Sequence, residues 1–268
     1  MCRIYFFIIM NTREQQLKAF NDLLDVMDEL REKCPWDKKQ TFESLRTNTL
    51  EEVYELTDAL LTNDFNEIKK ELGDVLLHIV FYSKIASETN SFDIGDVASA
   101  ITKKLIDRHP HIYGDAIADT DTQVTQNWEK LKLKEGNKSV LSGVPTSLPA
   151  LVKAIRIQEK VSGVGFDFPS SNEALNKVSE EIKELSIEVK ANQQDKIEAE
   201  FGDVLFSLVN YARFINVNPE TALERTNIKF IKRFQYIEQI AQQQNKSITD
   251  LTLQQMDEIW EQAKKQQL

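Results

Sequence analysis

A chain of 268 residues has room for two domains of ordinary size, each burying a core of its own. Its 43 acidic residues outweigh 33 basic ones, and the net charge of −10 excludes the basic face that a general nucleic-acid or anionic-membrane binder needs. Cys2 and Cys34 are too few for a disulfide framework and have no metal-ligand spacing, so a reducing cytoplasm is the expected home.

The first apolar stretch, Ile4 to Met10, is too short to span a bilayer. A signal-peptide core fits its length, but the next residues are polar and helical with no small-residue cleavage site. Met10 is the expected natural start, with residues 1–9 an extension outside the fold. From Thr12 to Arg31, Leu17, Phe20, Leu24, Met27 and Leu30 recur at helical spacing. That helix stops before Cys34-Pro35-Trp36-Asp37, where proline disfavours helix in the preceding residue. A second helix is predicted over Thr49–Leu61, with Leu50, Val53, Leu56 and Leu60 as its buried stripe. Turn residues Thr62-Asn63-Asp64 lead into a third, Phe65–Ala86, bearing Val75, Leu76, Ile79 and Val80. Asp96–Asp107 comes next, closed by Arg108-His109-Pro110-His111, and Gln123–Leu133 carries Trp128. Glu135–Pro149 holds Gly136, Gly143, Pro145 and Pro149 with little periodicity, which places domains at 10–135 and 149–268 around a linker at 136–148.

The second half retraces the first. Leu151–Val161 reads as helix, and Gly165-Phe166-Asp167 parallels Pro35-Trp36-Asp37 at an offset of 130. Ser171 or Asn172 is the expected cap of a helix running to Val189. Lys196–Phe214, Pro219–Ala241 and Asp250–Lys265 complete the set, the last carrying Trp260. Nothing reads as a sheet, so the expected fold is all-α, a tandem duplication of one helical bundle.

The duplication is clearest in its acids. Glu180-Glu181-Ile182-Lys183-Glu184 and Glu200-Phe201-Gly202-Asp203 repeat Glu51-Glu52-Val53-Tyr54-Glu55 and Glu71-Leu72-Gly73-Asp74 at a constant offset of 129. Glu181 and Glu184 share one helix face, as do Glu200 and Asp203 on the next helix. Folded back antiparallel, the two helices would bring four carboxylates together, and packed like charges resist ionisation unless a cation sits among them. Hard oxygen donors without Cys or His nearby suit Mg²⁺, with Mn²⁺ as a substitute, and not zinc. Glu52, Glu55, Glu71 and Asp74 form the same set in the first half. Two blander readings compete: a solvated acidic face, and for Glu52 a capping box from Thr49. Val178 stands where the second half would need that cap, yet Glu181 is retained.

Other repeated residues suit a polyphosphate ligand. Lys229 and Arg233 lie four apart, as do Lys104 and Arg108, although such cations also pair with carboxylates or face water. Trp128 and Trp260 recur near the end of each half, fitting either a base-stacking platform or a core position. No E-x-x-H occurs, which argues against a di-iron bundle.

These two E-E-x-x-E…E-x-G-D units, with Cys34-Pro35-Trp36-Asp37 before the first and Lys229-Phe230-Ile231-Lys232-Arg233-Phe234 after the second, resemble the MazG family. Those are tandem-domain nucleoside triphosphate pyrophosphohydrolases of the all-α NTP pyrophosphatase superfamily. The likeness runs from about Met10 to the C-terminus and includes Arg108-His109-Pro110-His111 and Ser147 to Leu151. It implies hydrolysis of (deoxy)nucleoside triphosphates to monophosphate and pyrophosphate, with Mg²⁺ on Glu181, Glu184, Glu200 and Asp203. Glu180 would then be the spare carboxylate, a base or an acceptor behind the metal ligands. Lys177, Lys229 and Arg233 would hold phosphates and Trp260 would face the base, with Lys104, Arg108 and Trp128 as first-half counterparts. It further implies a homodimer, broad base tolerance, and a role in clearing aberrant nucleotides or in the starvation response. Asn48 stands where the second half has Lys177, so the second half is the expected main catalytic centre. A non-catalytic helical regulator that kept the duplicated fold is the rival reading.

Overall fold

The computed structural model describes residues 10–115, 120, 123–124 and 139–268. Every regular element among them is helical. The chain divides into two compact units, residues 1–117 and 118–268. Residues 1–9, Trp128 and most of the helix expected over Gln123–Leu133 lie outside the described residues.

The first unit begins with α1, Arg13–Lys33, which Thr12 and Gln15 start with a reciprocal capping box. A short 3₁₀ turn at Asp37–Lys39 leads to α2, Arg46–Thr62, and α3, Phe65–Ser87. Only Asn63 and Asp64 separate α2 from α3. Asn63 takes the left-handed conformation at φ 56°, which asparagine tolerates, and the Asp64 side chain caps α3. So short a turn folds the pair into an antiparallel hairpin. The hairpin packs α3 on α1 around Met27, Leu45, Val80 and Phe81. α4, Ile94–Arg108, lies against α3, and a single turn, α5, Pro110–Tyr113, continues past the expected helix terminus. Pro110 sits at the first position of that turn, where its missing N–H costs nothing.

The second unit repeats the hairpin. α6, Ala150–Gly163, precedes α7, Ser171–Ala191, and α8, Gln194–Phe214. Asn192 makes the left-handed turn at φ 55°, in register with Asn63. α9, Pro219–Gln243, and α10, Leu253–Lys265, pack together over Ile237, Ala241, Leu251 and Ile259.

Several local expectations are corrected. α2 begins at Arg46, so Thr49 is inside the helix and caps nothing; its hydroxyl bonds to the Leu45 carbonyl, His78 and Tyr82. Ser170, one residue before the expected candidates, caps α7 by accepting from the Glu173 N–H. A 3₁₀ turn at Ile248–Asp250 precedes α10, which Thr252 caps. The anticipated buried stripes are open in large part. Leu50, Val53 and Leu60 on α2 are exposed; of the stripe expected on α7, Val178, Ile182, Leu185 and Val189, Val178 is buried as expected while Ile182 and Val189 are exposed.

Candidate functional site

The two-residue turn sets the rotation of α8 against α7 and thereby gathers the acids. Carboxylate oxygens of Glu181, Glu184 and Glu200 lie within 4.8 Å of one another. Glu181 is buried at 7% exposure, while Glu184 is on the rim. Partial desolvation, then the charge of Glu181, a hydrogen bond with it and the charge of Glu200, push the Glu184 carboxyl above its usual range. Lys177 lies one turn before Glu181 on α7. Its Nζ is 2.6 Å from Oε1 of Glu180 and 2.8 Å from Oε1 of Glu181. Those hydrogen bonds, to Glu180 first, hold the ammonium above its usual range. Glu180 itself faces solvent.

The first unit holds the same cluster with different company. Glu52, Glu55 and Glu71 converge within 4.8 Å. Desolvation, then Asp74, Glu55 and Glu71, push the Glu52 carboxyl up. Glu71 is 3% exposed; Lys70 reaches its Oε1 at 2.8 Å, but its Oε2 is buried with no hydrogen-bond partner. A buried carboxylate oxygen left unpaired is costly, and a hard divalent cation is the partner that three converging carboxylates fit.

Glu181 of the second cluster lines a cavity of about 510 Å³, and Glu55 and Glu71 of the first line one of about 540 Å³. Lys177 and Asp203 line the same cavity as Glu181, so the fourth expected acid shares it with one member of the cluster. Away from the acids the wall is mainly apolar, with Ala174, Phe166, Phe168 and Phe206, and polar groups come from Gln158, Ser207 and Asn210. The loop bearing Phe166 is strapped to α8 by Arg213, which grips both carboxylate oxygens of Asp167 and donates to Asn210 Oδ1 at 2.9 Å. Gln158 is 4% exposed and donates to the Phe206 carbonyl at 2.7 Å, tying α6 to α8.

Lys229, Arg233 and Trp260 are not on that wall. Lys229 is exposed on α9. Arg233 donates from Nε to the Leu268 carbonyl and stacks over Trp260, whose ring also meets Phe230 at 5.0 Å. In the first unit Lys104 is exposed on α4 and Arg108 half-buried at its end. Sequence reasoning misses Gln158, Asn210 and Arg213. A signal exists for Gln158, a polar residue between Ile157 and Val161 on an otherwise apolar helix face. None exists for Arg213, whose partner is 46 residues away.

An all-α chain that twice sets a cluster of three glutamates on an antiparallel hairpin belongs to the class of duplicated helical proteins whose acid clusters could hold a metal ion. The sequence pattern of the MazG nucleotide pyrophosphohydrolase domain matches twice, at residues 40–113 and 170–237. The chain is 40% identical over 261 residues to a nucleoside triphosphate pyrophosphohydrolase of Escherichia coli, covering 94% of this chain and 99% of that one. It is 42% identical over 250 residues to the Thermotoga maritima nucleoside triphosphate pyrophosphohydrolase/pyrophosphatase MazG, covering 91% and 95%. A Bacillus subtilis protein, YabN, is 42% identical over 251 residues, covering 91% of this chain and 51% of that one. The chain belongs to the MazG family.

Proposed function

We propose that the protein hydrolyses nucleoside and deoxynucleoside triphosphates to the monophosphate and pyrophosphate in a Mg²⁺-dependent reaction, with the second half as the main centre. The observation that carries this reading is the junction of the Glu181, Glu184 and Glu200 cluster with a cavity bearing Lys177 and Asp203. The names of the Escherichia coli and Thermotoga maritima relatives support the same activity.

Glu181, Glu184, Glu200 and Asp203 would hold the cation, Mg²⁺ or Mn²⁺. Such a cation supplies a lower pKa for bound water and offsets charge on phosphate oxygens. Glu180 stands behind them as a base or acceptor, in reach of Lys177. Lys177 passes from its carboxylates to the incoming phosphates, and Lys229 and Arg233 carry positive charge for the pyrophosphate end. Water attacks the α-phosphorus, the bond to the bridging oxygen breaks, and pyrophosphate leaves. A mostly apolar cavity grips no single base pattern, which supports broad base tolerance and a role in clearing or limiting nucleotide pools. In the first half Glu52, Glu55, Glu71 and Asp74 would hold metal, for turnover of other nucleotides or in support of assembly.

A homodimer is part of this reading. Leu175, Ile182 and Val189 repeat every seven residues on α7, and Phe201, Leu205 and Leu208 line α8; all are exposed in the single chain. Gly202 supports close approach, since a Cβ added there meets nothing within 4 Å. A cytoplasmic setting fits the charge and the free Cys34, and among the described residues no helix is long and apolar enough to cross a membrane.

The deciding experiment measures pyrophosphate release from the eight common NTPs and dNTPs, with Mg²⁺ and with EDTA. Metal-dependent release of pyrophosphate with NMP is the expected outcome. Orthophosphate with NDP refutes the bond assignment, and no turnover by folded protein moves the reading to a non-catalytic regulator.

A further inference from the structure

The loop that joins α6 to α7, residues 164–170, is rooted in the end of α6. Gly165 takes the left-handed conformation at φ 90°, its N–H donates to the Ser162 carbonyl at 2.9 Å, and the Phe166 N–H reaches the Val161 carbonyl at 3.0 Å. Beyond that root, Arg213 of α8 ties the loop down. Asp167 accepts from its Nη1 at 2.8 Å and from its Nη2, and Asp167 Oδ1 also takes the Phe168 N–H at 2.8 Å. The first half anchors the equivalent turn from a different helix. Asp37 is the counterpart of Asp167 at an offset of 130, and there Arg31 of α1 donates to the Asp37 and Gln40 carbonyls. Lys84, the counterpart of Arg213 at an offset of 129, pairs with Asp28 of α1 at 2.7 Å. On α6 Gln158 stands for Asp28 and Val161 for Arg31, so neither the acid nor the arginine is present at those positions. The cation on the acid-bearing helix is thereby released from the preceding helix and grips the loop instead.

We infer that Arg213 is a positioning residue: through its forked pair with Asp167 it holds loop 165–168 in register with the acids of α8, and so sets how tightly the second half takes its nucleotide. This rests on the proposed pyrophosphohydrolase reading and deepens it. One helix, α8, carries Glu200, Asp203 and Arg213, and Asp203 and Arg213 line the same cavity as Phe166 and Phe168. The arginine therefore makes the aromatic loop and the acids parts of one rigid frame. A planar guanidinium suits the task, because its parallel N–H groups meet both carboxylate oxygens at once. Nη2 donates further to Asn210 Oδ1 at 2.9 Å, one turn back on α8, and the Phe214 ring lies 4.6 Å from Cζ, so the side chain is held in one direction. Lysine offers a single ammonium and lacks the fork that serves Asp167 and Asn210 together. Without the pair the loop keeps its root in α6 but loses its registration to α8, and a ligand entering the cavity must order the loop as it binds.

The test uses full-length protein carrying Asp167→Asn, Arg213→Gln or both, with Arg213→Lys as the conservative variant. Two quantities are read together: the affinity for an α,β-methylene nucleoside triphosphate in Mn²⁺, and the rate of chymotrypsin cleavage after Phe166, which is 79% exposed. Each single change should weaken the analogue about tenfold and the double no further, since the two side chains act as one unit. Arg213→Lys should fall between the parent and Arg213→Gln. Cleavage after Phe166 should accelerate in every variant while Mn²⁺ affinity holds, which a general loosening of the hairpin would not allow. Losses that add in the double variant overturn the inference, because Arg213 then acts on the ligand without Asp167. Unchanged analogue affinity beside faster cleavage also overturns it, since the loop is then loose with no consequence. If Arg213→Gln does not fold, Arg213→Lys with Asp167→Asn closes the same cycle. A parent protein that binds the analogue and shows these losses, yet releases no pyrophosphate from NTPs, refutes the pyrophosphohydrolase reading and leaves the role of Arg213 standing. A parent that does not bind the analogue overturns both.

Discussion

Lys177 Nζ stands 2.8 Å from Oε1 of Glu181, the most buried acid of the second cluster, and the aligned position of the first half carries no cation, since Asn48 takes its place. There Lys70 serves Glu71 instead, from the neighbouring position on the same helix. Lys177 is therefore a resident counter-charge that a metal ion and a phosphate chain can displace. Replacing it with Met should raise the KM for NTPs about tenfold with a smaller change in kcat, since a phosphate contact is lost. Mn²⁺ affinity should hold or tighten as the competing ammonium disappears. Steady-state kinetics with Mn²⁺ titration checks both, and a KM that does not move removes Lys177 from phosphate binding.

The halves should respond unequally to loss of an acid. Glu184→Ala is expected to lower NTP turnover about a hundredfold or more, because it removes one carboxylate of the Glu181, Glu184 and Glu200 cluster. Glu55→Ala, its counterpart in the first half, where Asn48 replaces Lys177, should spare turnover. Equal losses in the two variants would end the case for asymmetry.

Arg31 and Glu88 make a pH-dependent tie. Arg31 donates from Nε and Nη2 to the two oxygens of Glu88 at 2.7 and 2.5 Å, and its Nη1 bonds to the Asp37 and Gln40 carbonyls. The hydrogen bond to Arg31, outweighing desolvation, holds the Glu88 carboxyl below its usual range. A depressed carboxylate stabilises the fold above its unfolded pKa, and that share is lost as pH falls through the lower folded value. Glu88 is partly exposed, so the screened contribution is about 1 kcal/mol. Urea unfolding of Glu88→Gln should show that deficit at pH 7, shrinking as pH falls below the usual carboxylate range. A constant deficit across that range would mean the loss is packing, not charge.

Gly202 occupies the middle of α8, where glycine costs about 1 kcal/mol relative to alanine. A Cβ there has open space within the chain. Gly202→Ala should therefore raise the unfolding free energy of the single chain by about that amount while weakening self-association and turnover. Sedimentation over a concentration series reads the association. A variant that is more stable and equally dimeric shows that the α8 face is not where two copies meet.

The carboxylate clusters are legible in the sequence because helical spacing and a two-residue turn act over short distances, so spacing alone groups Glu181, Glu184 and Glu200. The apolar stripes are legible as helices but not as cores. Leu50, Val53, Ile182 and Val189 mark surfaces that something covers, and periodicity does not say whether the cover is the same chain. The expected cap of α7 misses Ser170 by a residue because several small polar residues adjoin there. The cavity is illegible for a different reason. Its lining runs from Ile157 to Arg213 over several elements, and a missing volume leaves no periodicity to read. The Arg213–Asp167 strap spans 46 residues, beyond any local rule.

Asn63 and Asn192 sit between their paired acids like the pivot of a folding rule. Each added or removed residue in such a turn would rotate the next helix by about 100° and shift it by about 1.5 Å. Glu71 or Glu200 would then swing away from the glutamates of the preceding helix, with every acid still present in the sequence. The two copies have drifted at many positions, yet the count of residues from Glu52 to Glu71 equals that from Glu181 to Glu200. Chain length across the bend is thus as much a part of the acid cluster as the oxygens that meet there, and a single-residue deletion should disarm it without touching a carboxylate.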